Sequence, residues 1–435
     1  MRIIRNKKYR SAFLCSLKER VLSQKRVIEE RVRDILDDVR ENGDKAVIKY
    51  TKAFDSFEIN RLRIDSKEIS RHAGKADFRT MNALKLSAKR IKAFHELQKD
   101  KSWSFSKDGA RLGQLVKPIE RVGVYIPGGK ASYPSTILMN IIPAQVAGVK
   151  EIAICVPTPK GEISPYVMAV VQLLGVKEVY RIGGAQAIGA LAYGTKTIKK
   201  VDKIVGPGNI YVATAKRMVF GVVDIDMIAG PSEILIIADN EANPVFIAAD
   251  LLSQAEHDES ASAILITPSK TLADNVNKEL EIQMRNLTRK GIAKKSLDNH
   301  GAIIITKNIK EAVELSNSIA PEHLEVIIKR PRSILPMVKN AGAIFLGEWT
   351  PEALGDYAAG PNHTLPTIGT ARFSSPLGVY DFVKRSNLLS FSRGGFYKLA
   401  ETVKTIASIE GLEAHKLSIQ VRERLLYGHR RSKRD

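Results

Sequence analysis

The feature that most constrains this chain is a regular alternation, from residue 121 onward, of short apolar runs with longer helical stretches. Runs such as RVGVYIP, EIAICVPT and EILIIAD have the length of β-strands, whereas SPYVMAVVQLLG has the length of a helix. Short strands that alternate with helices of roughly ten to fifteen residues are typical of βαβ units, whose strands are parallel. The sequence therefore predicts an α/β fold built on parallel sheets.

The alternation continues past Gly230-Pro231, so we expect two parallel-sheet modules that meet near this dipeptide. Residues 20–100 instead indicate helices rich in mixed charge, and the chain beyond Pro376 turns helical again. The stretch 354–378 is long and rich in Gly and Pro for a loop in a compact domain, and such loops are commonly functional.

Composition excludes several classes of protein. Hydrophobic residues make up 44% and charged residues 26% of the 435 residues, as in ordinary globular proteins. No stretch approaches the ~18 uninterrupted apolar residues of a membrane span, and the basic start leads into no apolar signal region. Two cysteines are too few for a disulfide scaffold or a cysteine-rich zinc site. We therefore expect a cytoplasmic protein with no membrane partner.

The formal net charge of +21 raises the question of nucleic-acid binding. Residues 1–40 hold twelve Lys/Arg against six Asp/Glu, and residues 416–435 hold seven against two. Residues 231–260, by contrast, hold seven acidic residues and no basic one. The positive charge is dispersed, and no nucleic-acid-binding module accompanies it. This favours a surface that is generally rich in Lys and Arg over a basic groove that binds nucleic acid. We expect no nucleic-acid partner; salt-sensitive binding to nucleic acid would support the alternative.

Two pairs of residues near predicted helix ends could carry chemistry. Gln254 and His257 stand three residues apart, a spacing that puts both side chains on one face of a helix. An imidazole and an amide oxygen could bind a metal together, although the same residues would also suit a capped helix end. Glu322 and His323 follow Pro321, which predicts an exposed loop tip. There the pair could act as general acid and base, or could simply face solvent.

Two further pairs lie near the C-terminus. Asp356 and His363 are both in GDYAAGPNH, where they could reach one metal or polar ligand, or could satisfy the backbone of a turn. Glu410 and His415 surround a glycine that separates two predicted helices, which by position alone is typical of solvated helix ends.

Nucleotide binding and cysteine chemistry are both weakly indicated. Glycine-rich loops at 127–136, 182–189 and 205–213 each follow a predicted strand and open a helix, where backbone N–H groups can hold phosphate. None of them matches GxGxxG or the phosphate-binding P-loop pattern. Cys155 lies within an apolar strand, so we expect it to be packed rather than reactive. A thioester mechanism of the aldehyde-dehydrogenase kind therefore lacks a good nucleophile.

Together these segments resemble the histidinol dehydrogenase family. The pieces that carry the resemblance are long, ordered and spread over residues 120–416: VGVYIPGGKASYPSTILMN, GGAQAIGALAYGT, KIVGPGN, AGPSE, LLSQAEHD, APEHLE, GDYAAGPNHTLPT and EGLEAH. The resemblance implies two Rossmann-like parallel-sheet modules, one inserted in the other, with small helical N- and C-terminal segments. The implied divisions are an N-terminal segment 1–24, a first Rossmann-like domain 25–124 with 232–377, an inserted NAD-binding domain 125–231 and a C-terminal segment 378–435.

The resemblance also implies the residues of the site. It implies one zinc ion per subunit bound by Gln254, His257, Asp356 and His415, with His415 donated by the neighbouring chain of a homodimer. Glu322 and His323 match the family's catalytic pair. The substrate contacts that it implies are Ser232, Gln254, His257, His323, Asp356, His363, Glu410 and His415. The NAD contacts that it implies are Tyr125, Gln186 and Asn209.

The implied reaction is oxidation of L-histidinol to L-histidine through the aldehyde, with two NAD+ reduced, at the end of histidine biosynthesis. Zinc would hold the substrate, His323 would accept protons and Glu322 would activate water for the second step. A dehydrogenase of another amino alcohol would keep most of these motifs. Competition by histidinol analogues with altered rings separates the two, because zinc should demand the imidazole.

Overall fold

The computed structural model describes residues 1–19, 25–56, 58, 61–128 and 133–431, and for 18, 19, 25 and 425–431 it describes the backbone alone. Part of the predicted loop 127–136 therefore lies outside the described residues. The chain forms two compact units. The first comprises Met1–Lys99 and Ile119–Phe382, and the second comprises Asp100–Pro118 and Val383–Asp435.

The strands of the described residues, in chain order, are β1 (Arg2–Ile4), β2 (Arg63–Ile64), β3 (Trp103–Lys107), β4 (Ala110–Pro118), β5 (Arg121–Tyr125), β6 (Glu151–Cys155), β7 (Glu178–Tyr180), β8 (Lys203–Val205), β9 (Asp224–Ile225), β10 (Glu233–Ala238), β11 (Ser262–Thr267), β12 (Ala302–Ile305), β13 (His323–Ile327), β14 (Ala343–Leu346) and β15 (Val383–Phe391).

The α-helices are α1 (Lys7–Glu19), α2 (Lys25–Asn42), α3 (Asp44–Asp55), α4 (Ser66–Ala73), α5 (Phe78–Glu96), α6 (Pro134–Ala147), α7 (Pro165–Leu173), α8 (Gly184–Tyr193), α9 (Ile210–Val219), α10 (Pro244–Ala255), α11 (Lys270–Met284), α12 (Lys290–His300), α13 (Ile309–Ile319), α14 (Glu352–Tyr357), α15 (Arg393–Ile409) and α16 (Glu413–Arg431).

The first unit contains two six-stranded sheets with the same internal strand order. The first sheet runs β1-β12-β11-β10-β13-β14, and its pairings are parallel. The second sheet runs β2-β7-β6-β5-β8-β9, where the edge pair β2–β7 is antiparallel and the other pairings are parallel. Counted from β10 or from β5, each sheet has the order 3-2-1-4-5 of a Rossmann-like module. The predicted pair of Rossmann-like modules is therefore confirmed.

The inner strands are apolar along their whole length because both faces of each sheet are covered. Every residue of β5, β10, β11 and β13 is buried. In β10, Ile234 and Ile236 pack into one hydrophobic cluster with residues of α10, while Leu235 and Ile237 pack into another with residues of α13. This period of two follows from the pleat, and each such side chain contributes roughly 1.5–3 kcal/mol by leaving water.

The N-terminal residues join both sheets. β1 pairs with β12 at the edge of the first sheet, whereas α2 packs against α8 and α9, and α5 packs against α6, around the second. The helical character expected for 20–100 is confirmed for the described part of that range by α2 to α5, with β2 as the exception. The strand at 2–4 was not expected from the sequence. The domain divisions at 24, 124, 231 and 377 remain a prediction.

The second unit is an antiparallel sheet with two long helices. β4 pairs with both β3 and β15. The turn between β3 and β4 has positive φ at Asp108 and at Gly109, 54° and 80°, as in a type I′ hairpin. Asp-Gly is a strong hairpin signal that the sequence analysis did not use. The α15–α16 junction at Gly411, with φ 69°, confirms the predicted break between two helices.

Two further expectations can be compared with the described residues. None of their helices is both long enough and apolar enough to cross a membrane. The stretch 354–378 was expected to be loop, but it begins inside α14 and contains a short 3-10 turn at Thr370–Arg372.

Candidate active site

Glu322 and His323 lie at the start of an inner strand. Helix α13 ends at Ile319, Ala320 has a left-handed φ of 55°, and His323 begins β13. Because β13 lies between β10 and β14, both side chains are covered: Glu322 is 7% exposed and His323 is 4% exposed. The prediction that Pro321 would place the pair at an exposed loop tip was therefore wrong. The helix ended before proline as expected, but the position in the sheet decided the burial.

The surroundings of His323 assign a role to each ring nitrogen. Nδ1 lies 2.9 Å from the carbonyl oxygen of Glu233. A carbonyl can only accept, so Nδ1 carries the hydrogen and donates it, which leaves the lone pair of a neutral ring on Nε2. Nε2 is buried and makes no hydrogen bond among the described residues. Burial lowers the pKa of His323, although Asp356 opposes this effect. His323 is thus arranged as a neutral base that accepts a proton on Nε2.

The backbone of Glu233 holds Glu322 as well as His323. The N–H of Glu233 donates to Oε2 of Glu322 at 2.8 Å, while its carbonyl accepts from His323. Glu322 Oε2 lies 3.7 Å from Nδ1 of His323. One residue at the start of β10 therefore orients a carboxylate and an imidazole side by side.

Gln254 and His257 stand at the end of α10, as predicted, but in different local structures. Gln254 is in the last turn of the helix and is 1% exposed. The helix ends at Ala255, and His257 is exposed in the following turn. The backbone N–H of His257 donates to the backbone carbonyl of Gln254 at 3.2 Å. The chain leaves the helix between the two residues, so they do not share a helix face, yet both side chains approach Glu352 of α14.

The short helix α14 brings two carboxylates to the same place. Asp356 Oδ1 and Glu352 Oε1 each lie 3.8 Å from Nε2 of His323. One ligand atom each from His257, Glu352 and Asp356 lie within 4.8 Å of one another. Glu352 was missed by the sequence analysis, which took this region as loop. Its spacing of four residues from Asp356 would have placed both on one face of a helix.

The charges around Glu352 suit a bound cation. Burial raises the pKa of its carboxyl well above the usual range, and the carboxylates of Asp356, Glu322, Glu325 and Asp250 raise it further. Clustered buried carboxylates repel one another unless a proton or a metal ion offsets their charge. Imidazole, amide and carboxylate groups are donors that zinc accepts. The residues at this site therefore fit a divalent metal ion.

His363 is joined to the same cluster through the backbone. Its Nδ1 lies 2.9 Å from the carbonyl oxygen of Asp356, and its Nε2 lies 3.5 Å from Oγ1 of Thr136. The neighbouring Asn362 donates from Nδ2 to the carbonyl of Met139 at 2.6 Å, which ties the loop to α6. His363 therefore contacts the backbone of Asp356, and a common ligand for the two side chains stays a prediction.

The remaining predicted substrate contacts lie in two places. Ser232 is half-buried directly before β10, next to the residue that holds Glu322 and His323. Glu410 and His415 belong to the second unit, where both are exposed beside the α15–α16 junction.

The predicted NAD contacts lie at the carboxyl ends of strands in the second sheet. Tyr125 ends β5, and its hydroxyl accepts the N–H of Gly184 at the start of α8 at 3.2 Å. Gln186 of α8 is 1% exposed, and its Oε1 has no hydrogen-bond partner among the described residues. Asn209 caps α9, accepting from the N–H groups of Tyr211 and Val212. Strand order reverses between β5 and β8, which is where open α/β sheets bind ligands.

A buried ion pair holds the loop that carries Asn209. Lys216 and Asp226 form a salt bridge with side chains 2% and 1% exposed. Nζ of Lys216 also donates to the Gly206 carbonyl at 2.9 Å, and the N–H of Gly206 donates to Asp226 at 2.7 Å. At φ 111°, a Cβ on Gly206 would collide with the Tyr125 carbonyl oxygen. The loop after β8 therefore packs directly on β5.

The catalytic candidates and the NAD candidates lie at opposite ends of the strands in their respective sheets. Glu322 and His323 precede or begin β13, and Gln254 ends a helix that returns toward the amino ends of the strands. The catalytic candidates thus lie at the amino edge of the first sheet, whereas the NAD candidates lie at the carboxyl edge of the second. The rule that ligands bind at the carboxyl ends of parallel strands fits the candidates of the second sheet and not those of the first.

Cys155 is the last residue of β6 and has no exposed surface. Burial raises the pKa of its thiol. The expectation that Cys155 is packed is confirmed, and its raised pKa favours an unreactive thiol.

Comparisons with known proteins all point to one family. A family model described as histidinol dehydrogenase matches residues 18–423. Curated histidinol dehydrogenases from Syntrophotalea carbinolica and Aquifex aeolicus are each 54% identical over 91% of this chain and 92% of their own length. The crystal structure of histidinol dehydrogenase from Elizabethkingia anophelis is similar with a TM-score of 0.88 and 39% identity, covering 92% of this chain and 93% of that one. The chain therefore belongs to the histidinol dehydrogenase family, a family of NAD-dependent oxidoreductases.

Proposed function

We propose that this protein oxidises L-histidinol to L-histidine through the aldehyde, with two NAD+ reduced, in histidine biosynthesis. The observation that carries the proposal is the buried Nε2 of His323, which makes no hydrogen bond among the described residues and lies 3.8 Å from carboxylate oxygens of both Glu352 and Asp356. A neutral base beside a cluster of possible metal ligands suits removal of a proton from a metal-held substrate.

The metal that fits is zinc, held by Gln254, His257, Asp356 and His415 of the partner subunit. The first three lie at one end of α10 and on α14. The buried carboxylates around them repel one another, and a bound cation would offset that repulsion. Bound zinc would supply electrostatic anchorage for the imidazole and amine nitrogens of the substrate. Ser232 and His363, together with Glu410 of the partner subunit, would supply polar contacts to the same substrate.

His323 performs the proton transfers. In the first oxidation, Nε2 of His323 takes the alcohol O–H proton while the C–H hydrogen leaves as hydride. The Nδ1–H bond to the Glu233 carbonyl keeps Nε2 facing the site and stabilises the ring once it is protonated. The proton must leave His323 before the second oxidation begins.

Glu322 serves the second oxidation. The aldehyde must first gain water, and Glu322 takes a proton from that water as its oxygen bonds to the aldehyde carbon. Nε2 of His323 then accepts the hydroxyl proton of the hydrate as the second hydride leaves, and a carboxylate remains. No cysteine takes part, in keeping with the burial of Cys155.

NAD+ would accept each hydride at its nicotinamide ring. Tyr125, Gln186 and Asn209 are the contacts we propose for it, since all three lie at or next to the carboxyl ends of strands in the second sheet. Oε1 of Gln186 makes no hydrogen bond among the described residues, and we propose that it accepts one from the dinucleotide. A cleft lined in part by Gly128 and Thr158 opens at the carboxyl ends of β5 and β6.

We further propose that the protein is a homodimer with a shared active site. Support comes from the second unit, where α15 exposes large apolar side chains at helical spacing: Leu399, Val403, Ile406 and Ile409 are 46%, 39%, 49% and 80% exposed. Such a stripe is commonly buried by association. It ends next to Glu410 and His415, the residues expected to complete the neighbouring site.

One experiment tests reaction, cofactor and metal together. Purified protein is mixed with L-histidinol and NAD+, and NADH absorbance is followed with and without a zinc chelator, while the mass of the species is measured by light scattering. We expect two NADH per histidinol, loss of the signal on chelation and recovery with zinc. Absence of NADH from a zinc-loaded dimer would contradict the proposal and favour another amino alcohol as substrate.

A further inference from the structure

We propose that Glu352 is a positioning residue that turns the amide oxygen of Gln254 toward the metal. With the Gln254 amide oriented to satisfy its neighbours, Nε2 donates to both Glu352 oxygens, at 2.8 and 3.1 Å. Both residues are buried, at 1% and 3% exposed. The inference rests on the proposed metal site, in which Gln254 is a ligand.

A glutamine ligand needs such a partner for a chemical reason. Its side chain has a carbonyl oxygen that can bind a cation and an NH2 group that cannot. A half-turn about one bond exchanges the positions of these groups, so the amide has two orientations. In water both orientations are accessible, but a buried amide takes the orientation that its protein neighbours allow. A carboxylate accepts hydrogen bonds and repels a carbonyl oxygen, so Glu352 selects the orientation in which Oε1 of Gln254 points away from it.

Glu352 is itself held in place. It is the first residue of α14, and its N–H donates to Oε1 of Glu325 at 2.7 Å. Oγ of Ser253 lies 3.4 Å from its Oε2. The carboxylate is therefore fixed by the start of a helix on one side and by α10 on the other, which is the rigidity that a positioning group requires.

An alternative role is as a direct metal ligand, since one Glu352 oxygen falls within the same 4.8 Å cluster as His257 and Asp356. The contacts favour positioning, because both oxygens of Glu352 already accept from Gln254. The two roles predict different results in a double-mutant cycle with Gln254.

The test measures zinc affinity of the full-length protein by competition with a chromogenic chelator, together with the visible absorption spectrum of the cobalt-substituted protein. Glu352→Met removes the acceptor at similar size and should weaken zinc binding by roughly 10- to 100-fold, the usual effect of losing a group that orients a ligand. Glu352→Gln keeps an acceptor for Nε2 of Gln254 and should recover most of the affinity. In a Gln254→Met background, Glu352→Met should cause no further loss. The matched control is Glu256→Met on the same helix end, which should bind zinc as the unmodified protein does.

Three results would overturn the positioning role. One is unchanged zinc affinity in Glu352→Met, and another is an equal loss in Glu352→Gln and Glu352→Met. The third is a full additional loss in the Gln254→Met background, which would make Glu352 a ligand. If Glu352→Met does not fold, Glu352→Asp withdraws the oxygens by one methylene and should weaken zinc binding several-fold; unchanged affinity would again refute the inference. Failure of the unmodified protein to bind zinc at all would refute the proposed metal site first, so the two failures are distinguishable.

Discussion

Replacing Glu322 by glutamine should separate the two oxidations. Glutamine has nearly the same shape, and its side-chain oxygen can still accept the Glu233 N–H that donates to Glu322 at 2.8 Å. His323 keeps its bond to the Glu233 carbonyl at 2.9 Å and its carboxylate neighbour Asp356 at 3.8 Å. The substitution therefore removes a base without removing the strand start or the second base.

The expected magnitude follows from the role that is lost. A positioned general base contributes roughly 10²- to 10⁴-fold, or about 3 to 5 kcal/mol of activation free energy. We expect that loss in the second oxidation, where water must be activated. The first oxidation needs only His323 and should slow by less than about tenfold. Single-turnover NADH formation from L-histidinol and from the aldehyde measures the two steps separately.

Equal losses with alcohol and with aldehyde would refute this assignment of Glu322. The matched control is Glu325→Gln, two residues further along β13. Burial and the nearby Asp250 raise the pKa of Glu325 well above its usual range, and glutamine keeps both the size of the side chain and an oxygen that accepts hydrogen bonds. Its oxygen can still accept the Glu352 N–H, and both oxidations should proceed at close to the unmodified rates.

Three further predictions concern the metal, the second sheet and the cysteines. His415→Ala should lower zinc content as well as activity; full zinc occupancy measured by atomic absorption would contradict a ligand role. Lys216→Met leaves the buried Asp226 carboxylate without its cation and should cost about 3–5 kcal/mol of unfolding free energy in urea titrations, whereas a loss below about 1 kcal/mol would show that the ion pair is dispensable. Alkylation of the native protein should modify the exposed Cys15 and spare Cys155, whose thiol has a raised pKa and no exposed surface. Cys155→Ala should keep its activity, and a loss of both oxidations with intact folding would reinstate a thiol mechanism.

Local sequence patterns were sufficient to predict the helices and strands and the chemistry of single residues. The apolar runs that became β5, β6, β10 and β11 are continuous because both faces of a parallel sheet are covered, and this leaves a signal in the residues themselves. The same holds for the break at Gly411 and for the inert Cys155, since each depends on its immediate neighbours along the chain.

Contacts between elements could not be read in this way. The sequence predicted that Glu322 and His323 lie at an exposed loop tip. The pair instead stands at the start of a strand that has a neighbour on each side, and the strand order β10-β13-β14 decides its burial. Gln254 and Asp356 were predicted separately, and Glu352, which contacts Gln254 and lies close to Asp356, was not predicted because its segment was expected to be loop.

The sequence by itself thus determined the α/β class, the two modules and the residue types available for acid–base and metal chemistry. The tertiary structure alone decided which nitrogen of His323 makes no hydrogen bond among the described residues and which carboxylate faces Gln254. It also decided that these groups gather at the amino ends of strands in the first sheet, while the dinucleotide candidates gather at the carboxyl ends of strands in the second. The physical reason is that periodicity records which face of an element is apolar, whereas a distance between side chains on different elements depends on strand order and helix packing summed over the whole core.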